Sequence, residues 1–175
     1  TAWLAIPLFL MAAWPVVKLP PVNMLLPLAQ AGSRDLYFYE DAISMTHVVE
    51  QQDGQRVLLT DLQRMDASTD PTAVFVQSNQ ARLPLLLHEQ PRSVLFLGLG
   101  TGISVAGSLA FPDLERSAVE LSQGAINSAM SWFVPLNRNV LRQTKVERDD
   151  VRHFLSTGRD QYDVIIGDVF HPDLA

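Results

Sequence analysis

The second half of the chain alternates short apolar runs with segments of helical pattern. From residue 92 onward this pattern predicts strands at 93–97, 115–120, 144–148 and 162–167 and helices at 102–110, 122–133 and 150–156. Such alternation is typical of a parallel sheet whose strands are joined by crossover helices. The runs "SVLFL" and "YDVII" are almost wholly apolar, as expected of strands buried on both faces. The sequence therefore predicts an α/β fold with a parallel sheet.

Residues 35–61 have the pattern of β structure. The segments "SMTHVVEQQ" and "QRVLLTD" flank Asp53-Gly54, a dipeptide that favours a tight hairpin turn. A helix is predicted next, because Asp70 is a suitable N-cap and Pro71 a suitable first helical residue. Pro84 is expected to kink or end that helix.

The first 33 residues differ from the rest of the chain. They carry one charge, Lys18, and residues 1–17 carry none but include Trp3 and Trp14. A membrane span needs about 20 apolar residues, so we interpret this stretch as the end of a transmembrane helix. An apolar arm packed on a partner is the alternative. The predicted division is an apolar segment at 1–33, an N-terminal β subdomain at 34–69 and a Rossmann-like domain at 70–175.

The composition excludes several kinds of partner and site. The 175 residues carry a net charge of -6, and the 13 Lys and Arg residues are scattered, so a nucleic-acid partner is not expected. The lack of cysteine excludes disulfides, thiolate metal sites and cysteine nucleophiles. His47, His88 and His153 lack the spacing of metal ligands, so no metal is expected and these side chains are interpreted as structural.

Three glycines at alternate positions follow the first predicted strand of the parallel sheet. The stretch "VLFLGLGTG" places Gly98, Gly100 and Gly102, with Thr101 among them, between an apolar run and a helical segment. Glycine permits a tight turn and allows backbone N–H groups to face a ligand. The pattern predicts the nucleotide-binding turn of a Rossmann-like fold. A tight strand–helix connection without a ligand is the alternative.

Carboxylates end each of the next three predicted strands. Glu120 follows the glycines by about 20 residues, the usual distance for an acceptor of ribose hydroxyl groups. Asp149 and Asp150 end the third strand, where Asp150 can accept a bond from an adenine amino group and can also cap a helix. Asp168 ends the fourth. Because ligands of open α/β sheets bind at the carboxyl ends of the strands, these residues predict an adenosine-containing ligand with its reacting group near Asp168.

At these residues the chain resembles the spermidine synthases (polyamine aminopropyltransferases), in particular the bacterial spermidine-synthase-like proteins with membrane helices. The resemblance covers residues 36–175 and is carried, in order, by "DGQRVLLTD", "MDASTDPTA", "LPLLLH", "VLFLGLGTG", "VEL", "DDVRHFL" and "YDVIIGDVFHP". It implies a class I methyltransferase-like sheet preceded by a small β-hairpin subdomain. Such a sheet normally has more strands than the four predicted, so the sheet is expected to be incomplete. The resemblance also implies association with the bacterial inner membrane, with a cytoplasmic catalytic domain; a cytoplasmic protein is the alternative.

The resemblance further implies an activity and residue roles. The glycine turn, including Thr101, would line the amino-acid end of decarboxylated S-adenosylmethionine, Glu120 would hold the ribose and Asp150 the adenine. Asp168 would deprotonate or orient the attacking amine of putrescine. His171 is a candidate base beside it, with a packed loop histidine as the alternative. The implied reaction is aminopropyl transfer to a small-molecule amine acceptor.

The sequence departs from the family pattern at several positions. Thr101 stands where an aspartate binds the cofactor amine, and His171 stands where the second aspartate of the Asp-Ser-Ser-Asp-Pro run is usual. Met65 replaces the glutamine of the hairpin motif, and 74–76 replace a Tyr-His-Glu set. Because each change removes a polar contact, ordinary S-adenosylmethionine is the alternative donor. A methyltransferase and a non-catalytic binding module are the alternative functions. An unpaired edge at the fourth strand favours association, so a homodimer is left open.

Overall fold

Two four-stranded sheets and five helices make up the described part of the protein. The computed structural model describes residues 32–167, and within 63–67 it describes the backbone alone. The strands are β1 (Arg34–Glu40), β2 (Met45–Glu50), β3 (Arg56–Thr60), β4 (Gln63–Ser68), β5 (Ser93–Leu97), β6 (Glu115–Glu120), β7 (Lys145–Arg148) and β8 (Val164–Gly167). The helices are α1 (Pro71–Leu87), α2 (Ile103–Gly107), α3 (Gln123–Ser131), α4 (Val134–Asn137) and α5 (Val151–Thr157), with 3-10 turns at Ser108–Ala110 and Val140–Gln143.

The first sheet is antiparallel, with its strands in the order β1-β2-β3-β4. The predicted turn at Asp53-Gly54 joins β2 to β3, where Gly54 has a φ of 80° and its N–H donates to the carbonyl of Gln51. The sequence pattern gives no sign of β4. Its hairpin turns through Asp61 and Leu62 at φ values of 50° and 65°, and this left-handed conformation is usually signalled by a glycine.

Helix α1 begins where the capping residues predict. The Asp70 carboxylate accepts hydrogen bonds from the N–H groups of Thr72 and Ala73, at 2.9 and 3.0 Å, and Pro71 is the first helical residue. Pro84 was predicted to kink or end the helix; it does not end it, because the helix continues to Leu87, and the kink stays a prediction. Proline removes one helical hydrogen bond, but the next residue, Leu85, is fully buried and fixes the last turn against the core.

The second sheet is parallel, with its strands in the order β7-β6-β5-β8. Strands β5 and β6 have the predicted bounds, and β7 and β8 begin one and two residues later than predicted. The predicted α/β class is therefore confirmed. Strand β5 lies between β6 and β8. Following the chain, β6 and β7 are added on one side of β5, and β8 is then added on the other side. The crevice at the carboxyl ends of β5 and β8 is the place where sheets of this kind bind ligands.

A core of aliphatic and aromatic side chains covers the parallel sheet. It includes Val94 and Phe96 of β5, Ala118 of β6 and Ile166 of β8, and α1 contributes Ala81 and Leu85 from one side. Both Val94 and Phe96 are no more than 2% exposed. This burial accounts for the nearly continuous apolar run that identifies β5 in the sequence.

The antiparallel sheet packs against α3, which follows β6. Val48 of β2 and Leu58 of β3 form a small core with Ala125 and Phe133. Gly124 permits the close approach of helix and sheet: an added Cβ there would touch Thr46 Oγ1 and lie 2.5 Å from Thr46 Cβ. One face of a short helix thus packs closely against the antiparallel sheet.

No helix within residues 32–167 is long and apolar enough to cross a lipid bilayer. Residues 1–31 hold most of the predicted membrane segment and lie outside the described residues. The membrane expectation and the division at residues 33 and 69 therefore stay predictions.

We expect Gly124→Ala to lower the free energy of unfolding by about 1–3 kcal/mol, the usual cost of overpacking a tight contact. Alanine favours a helix over glycine by up to about 1 kcal/mol, but the backbone-anchored Thr46 Cβ cannot rotate away from the added methyl group. Urea denaturation measures the change. Gly54→Ala is the comparison, because its Cβ would meet no described atom within 4 Å and its cost comes from the left-handed φ alone. Unchanged stability of Gly124→Ala would contradict the close contact.

Candidate functional site

The glycine turn lies at the carboxyl end of β5, beside the crevice between β5 and β8. Gly98, Gly100 and Gly102 all have positive φ values, of 103°, 52° and 76°. These are conformations that other residues rarely adopt. A Cβ added at Gly98 or Gly100 would meet nothing within 4 Å among the residues described, whereas one at Gly102 would lie 3.0 Å from Leu141 Cδ1. The first two glycines therefore leave backbone accessible to a ligand, and the third packs against the protein.

The carboxylate of Glu120 holds this turn in place. Its Oε2 accepts hydrogen bonds from the N–H groups of Leu99 at 2.8 Å and Gly100 at 3.2 Å, and its Oε1 accepts from the N–H of Ser122 at 2.9 Å. A carboxylate has about four acceptor positions. Glu120 therefore fastens the turn to the end of β6 and keeps one acceptor position, on Oε1, for another donor.

Asp150 lies at the end of the neighbouring strand, on the same edge of the sheet. The N–H of Asp149 donates to the carbonyl of Glu120 at 3.3 Å. Asp150 caps α5 by accepting from the N–H groups of Arg152 at 2.7 Å and His153 at 3.4 Å, and its side chain is exposed. The structure thus places Glu120 and Asp150 at adjacent strand ends beside the turn. Their ligand contacts stay a prediction.

Thr101 is turned toward the protein interior. Its side chain is 2% exposed, and its hydroxyl donates to Gln77 Oε1 of α1 at 3.2 Å. Asn137, which is fully buried, donates from Nδ2 to the Thr101 carbonyl at 2.9 Å. The sequence analysis did not identify Gln77 or Asn137. A polar residue on the buried stripe of α1 is the one signal that could have revealed Gln77.

Two of the α1 residues compared with the Tyr-His-Glu set are exposed. Phe75 is 67% exposed and Val76 is 52% exposed. Gln77, the next residue, is the one that reaches Thr101. Contact between α1 and the turn is therefore made one position after the segment that the resemblance indicated.

The turn between β1 and β2 reaches the same edge of the parallel sheet. Asp41 accepts from Arg148 Nη2 at 2.8 Å, and Ser44 Oγ donates to Ser122 Oγ at 3.0 Å. Hydrogen bonds from the N–H groups of Ile43 and Ser44, together with the charge of Arg148, lower the pKa of Asp41. The antiparallel sheet therefore supplies part of the rim beside Glu120.

The two predicted reacting residues, Asp168 and His171, lie outside the described residues. The residue before Asp168 is Gly167, which pairs with Leu97 at the end of β5. The backbone thus reaches residue 167 beside the start of the glycine turn. The roles of Asp168 and His171 stay predictions.

A separate groove lies between α5 and β8, away from the glycine turn. It has a volume of about 410 Å³ and is lined by Phe154, Leu155, Gly158, Asp160, Gln161, Tyr162 and Ile165. None of the predicted site residues lines it. The backbone geometry and the convergent polar groups favour the carboxyl edge of the sheet as the candidate site.

Comparison with known proteins supports a relationship to one family. No protein-family profile matches the chain. The polyamine aminopropyltransferase of Nitrosomonas europaea (strain ATCC 19718 / CIP 103999 / KCTC 2705 / NBRC 14298) is 29% identical over 101 residues, which is 56% of this chain and 31% of the relative. The chain is similar to this relative over that stretch. The resemblance to spermidine synthases inferred from the motifs is thus confirmed, and the membrane-associated type stays a prediction.

Solved structures of spermidine synthases share the fold. The crystal structure of a spermidine synthase in complex with the transition state analogue AdoDATO has a TM-score of 0.67 and 22% identity, covering 77% of this chain and 47% of that one. The spermidine synthase from Thermotoga maritima has a TM-score of 0.68 and 22% identity, covering 79% and 48%. The chain spans about a third of the curated relative and about half of these structures. The predicted methyltransferase-like fold class is confirmed.

A titratable pair lies next to Asp150 at this edge. His153 Nδ1 is 2.7 Å from Asp149 Oδ2. This hydrogen bond, and then the charge of Asp149, raises the pKa of His153 above its usual 6.5, and the same bond lowers the pKa of Asp149 below 3.8. The pair therefore contributes its full stabilisation of the fold between pH 3.8 and pH 6.5. The His153 contribution is lost as pH rises through its raised pKa, and the Asp149 contribution as pH falls through its lowered one.

We predict that the imidazole of His153 titrates above pH 6.5 and that Asp149→Asn returns its midpoint toward 6.5. The substitution removes the charge and the stronger acceptor. Histidine side-chain NMR resonances followed against pH measure both midpoints. Asp113→Asn, a change at an exposed residue before β6, is the control and should leave the midpoint in place. A midpoint at or below 6.5 in the unaltered protein would contradict the pairing.

Proposed function

We propose that the protein transfers an aminopropyl group from decarboxylated S-adenosylmethionine to a polyamine acceptor. The observation that carries the proposal is the glycine turn fastened by Glu120 at the carboxyl edge of the sheet, beside Asp150, in a spermidine synthase-like chain. One of the related folds is that of a spermidine synthase bound to a transition state analogue. The proposal extends that relationship to this chain.

The residues at the turn are suited to an adenosyl group. The open space over Gly98 and Gly100 admits a ligand against the backbone. The remaining acceptor position of Glu120 suits one ribose hydroxyl group. Asp150 is exposed and has a second carboxylate oxygen that can accept a bond from an adenine amino group. Thr101 would lie behind the turn, with its hydroxyl already bonded to Gln77.

The bound donor would supply an electrophilic carbon next to a positively charged sulfur. We assign Asp168 to the acceptor, where its carboxylate would take a proton from the amine so that the nitrogen lone pair can attack. A carbon–nitrogen bond forms, the carbon–sulfur bond breaks, and the sulfur leaves as a neutral thioether. His171, three residues further on, is the second candidate to receive that proton.

The charge of the edge is suited to a cationic acceptor. Glu120 and Asp150 lie at two neighbouring strand ends, where Arg148 is paired with Asp41 and His153 with Asp149. A site with fixed negative charge stabilises a protonated diamine as it approaches. Membrane attachment through residues 1–33, an inner-membrane location and a homodimer are separate proposals, with no support from the described residues.

We expect Asp168→Asn in the full-length protein to lower turnover at least about a hundredfold while leaving donor affinity within a few-fold, because it keeps the shape and removes the proton acceptor. Transfer from labelled decarboxylated S-adenosylmethionine to putrescine measures turnover, and calorimetry measures donor affinity. Asp113→Asn is the matched control.

The same assay run with ordinary S-adenosylmethionine separates the alternatives. Methyl transfer without aminopropyl transfer would replace the proposal with a methyltransferase. Binding of either compound without transfer would favour a non-catalytic module. Full turnover by Asp168→Asn would be consistent with aminopropyl transfer but would show that Asp168 is not the base in that reaction.

A further inference from the structure

We propose that Glu120 makes the glycine turn reject anionic groups, so that the turn takes only an uncharged or cationic end of an adenosyl compound. This assigns Glu120 a role in specificity in addition to ribose binding. The inference rests on the proposed function for its adenosyl ligand. It concerns which groups the turn can accept, and not which reaction follows.

The first argument is that four of the five backbone donors between residues 98 and 102 are already used. Glycine-rich turns bind phosphates through N–H groups that point at the ligand. Here the N–H groups of Leu99 and Gly100 donate to Glu120 Oε2 at 2.8 and 3.2 Å. Two others donate to backbone carbonyls, Gly98 to Val119 at 2.8 Å and Gly102 to Leu99 at 2.9 Å. An incoming anion would have to break one of these bonds to gain one.

The second argument is the charge that Glu120 places inside the turn. Its Oε2 lies within 3.2 Å of two backbone nitrogens of the turn. A phosphate or carboxylate bound to those nitrogens would lie beside a like charge, which disfavours it. Asp150 adds negative charge at the next strand end, whereas Asp149 is paired with His153 and Arg148 with Asp41.

The third argument is that room remains for a ligand despite the occupied donors. A Cβ at Gly98 or Gly100 would meet no atom of the described chain within 4 Å, and both glycines are partly exposed. The turn therefore presents open space without free donors at Leu99 and Gly100. Such a surface suits van der Waals contact with uncharged atoms, or attraction of a cation, rather than capture of an anion.

The test compares two adenosine compounds that differ at the 5′ end. Methylthioadenosine is neutral there, and adenosine monophosphate carries a phosphate. We expect the full-length protein to bind the monophosphate at least about tenfold more weakly, because of the like charge of Glu120. In Glu120→Gln the ratio of the two dissociation constants should become several-fold smaller. Both affinities should also fall, because the substitution weakens the contact with the ribose. Asp150→Asn is the matched comparison, and it should weaken both compounds without narrowing the ratio as far.

Equal or tighter binding of the monophosphate by the unaltered protein would overturn the inference, and so would an unchanged ratio in Glu120→Gln. Either result leaves the proposed transfer untouched, since that is measured by turnover. Failure to bind any adenosine compound would instead count against the proposed function.

A second measurement needs no adenosine compound. Inorganic phosphate added to the ¹⁵N-labelled protein should not shift the amide signals of Leu99 and Gly100, and a saturable shift at those signals would overturn the inference. In Glu120→Ala, which removes the shared acceptor oxygen, these two amides should exchange with solvent faster. Gly98 and Gly102 serve as controls, because their N–H groups donate to backbone carbonyls. Unchanged exchange at all four would show that Glu120 does not fasten the turn.

Discussion

The carboxylate of Glu120 is the contact on which the site depends. A turn with three glycines at positive φ loses much conformational entropy when it is ordered, and its N–H groups need acceptors once they leave water. Glu120 supplies acceptors for Leu99 and Gly100, and it binds the N–H of Ser122 at the start of α3. One side chain at the end of β6 thus fixes both the turn after β5 and the first turn of α3.

This arrangement requires the register of the parallel sheet. Leu97, the last residue of β5, pairs with Val119, so Glu120 at the end of β6 lies beside the first residues of the glycine turn. On the other side, Leu97 pairs with Gly167 of β8. A shift of one residue would exchange the side chains that pack on the two faces of β5 and would separate Glu120 from the turn.

The sequence predicts best those elements whose own local pattern of apolar residues is sufficient to identify them. Strands β5 and β6 have the expected bounds, since burial on both faces leaves a continuous apolar run. Strand β4 gave no signal, because Asp61 and Leu62 form a left-handed turn without glycine. The helix does not end at Pro84, because burial of Leu85 outweighs one lost hydrogen bond. The Thr101–Gln77 contact could not be predicted, since it depends on how α1 lies against the turn.

The antiparallel sheet forms one side of the candidate site. Its core with α3 is small, consisting of Val48, Leu58, Ala125 and Phe133. Its polar contacts reach the carboxyl edge: Asp41 holds Arg148, and Ser44 bonds to Ser122 beside the residue that Glu120 binds. Two hydrogen bonds connect the β1–β2 turn to Glu120: Ser44 Oγ donates to Ser122 Oγ, and the Ser122 N–H donates to Glu120 Oε1. Because Glu120 also binds the N–H groups of Leu99 and Gly100, the β1–β2 turn and the glycine turn belong to one short network.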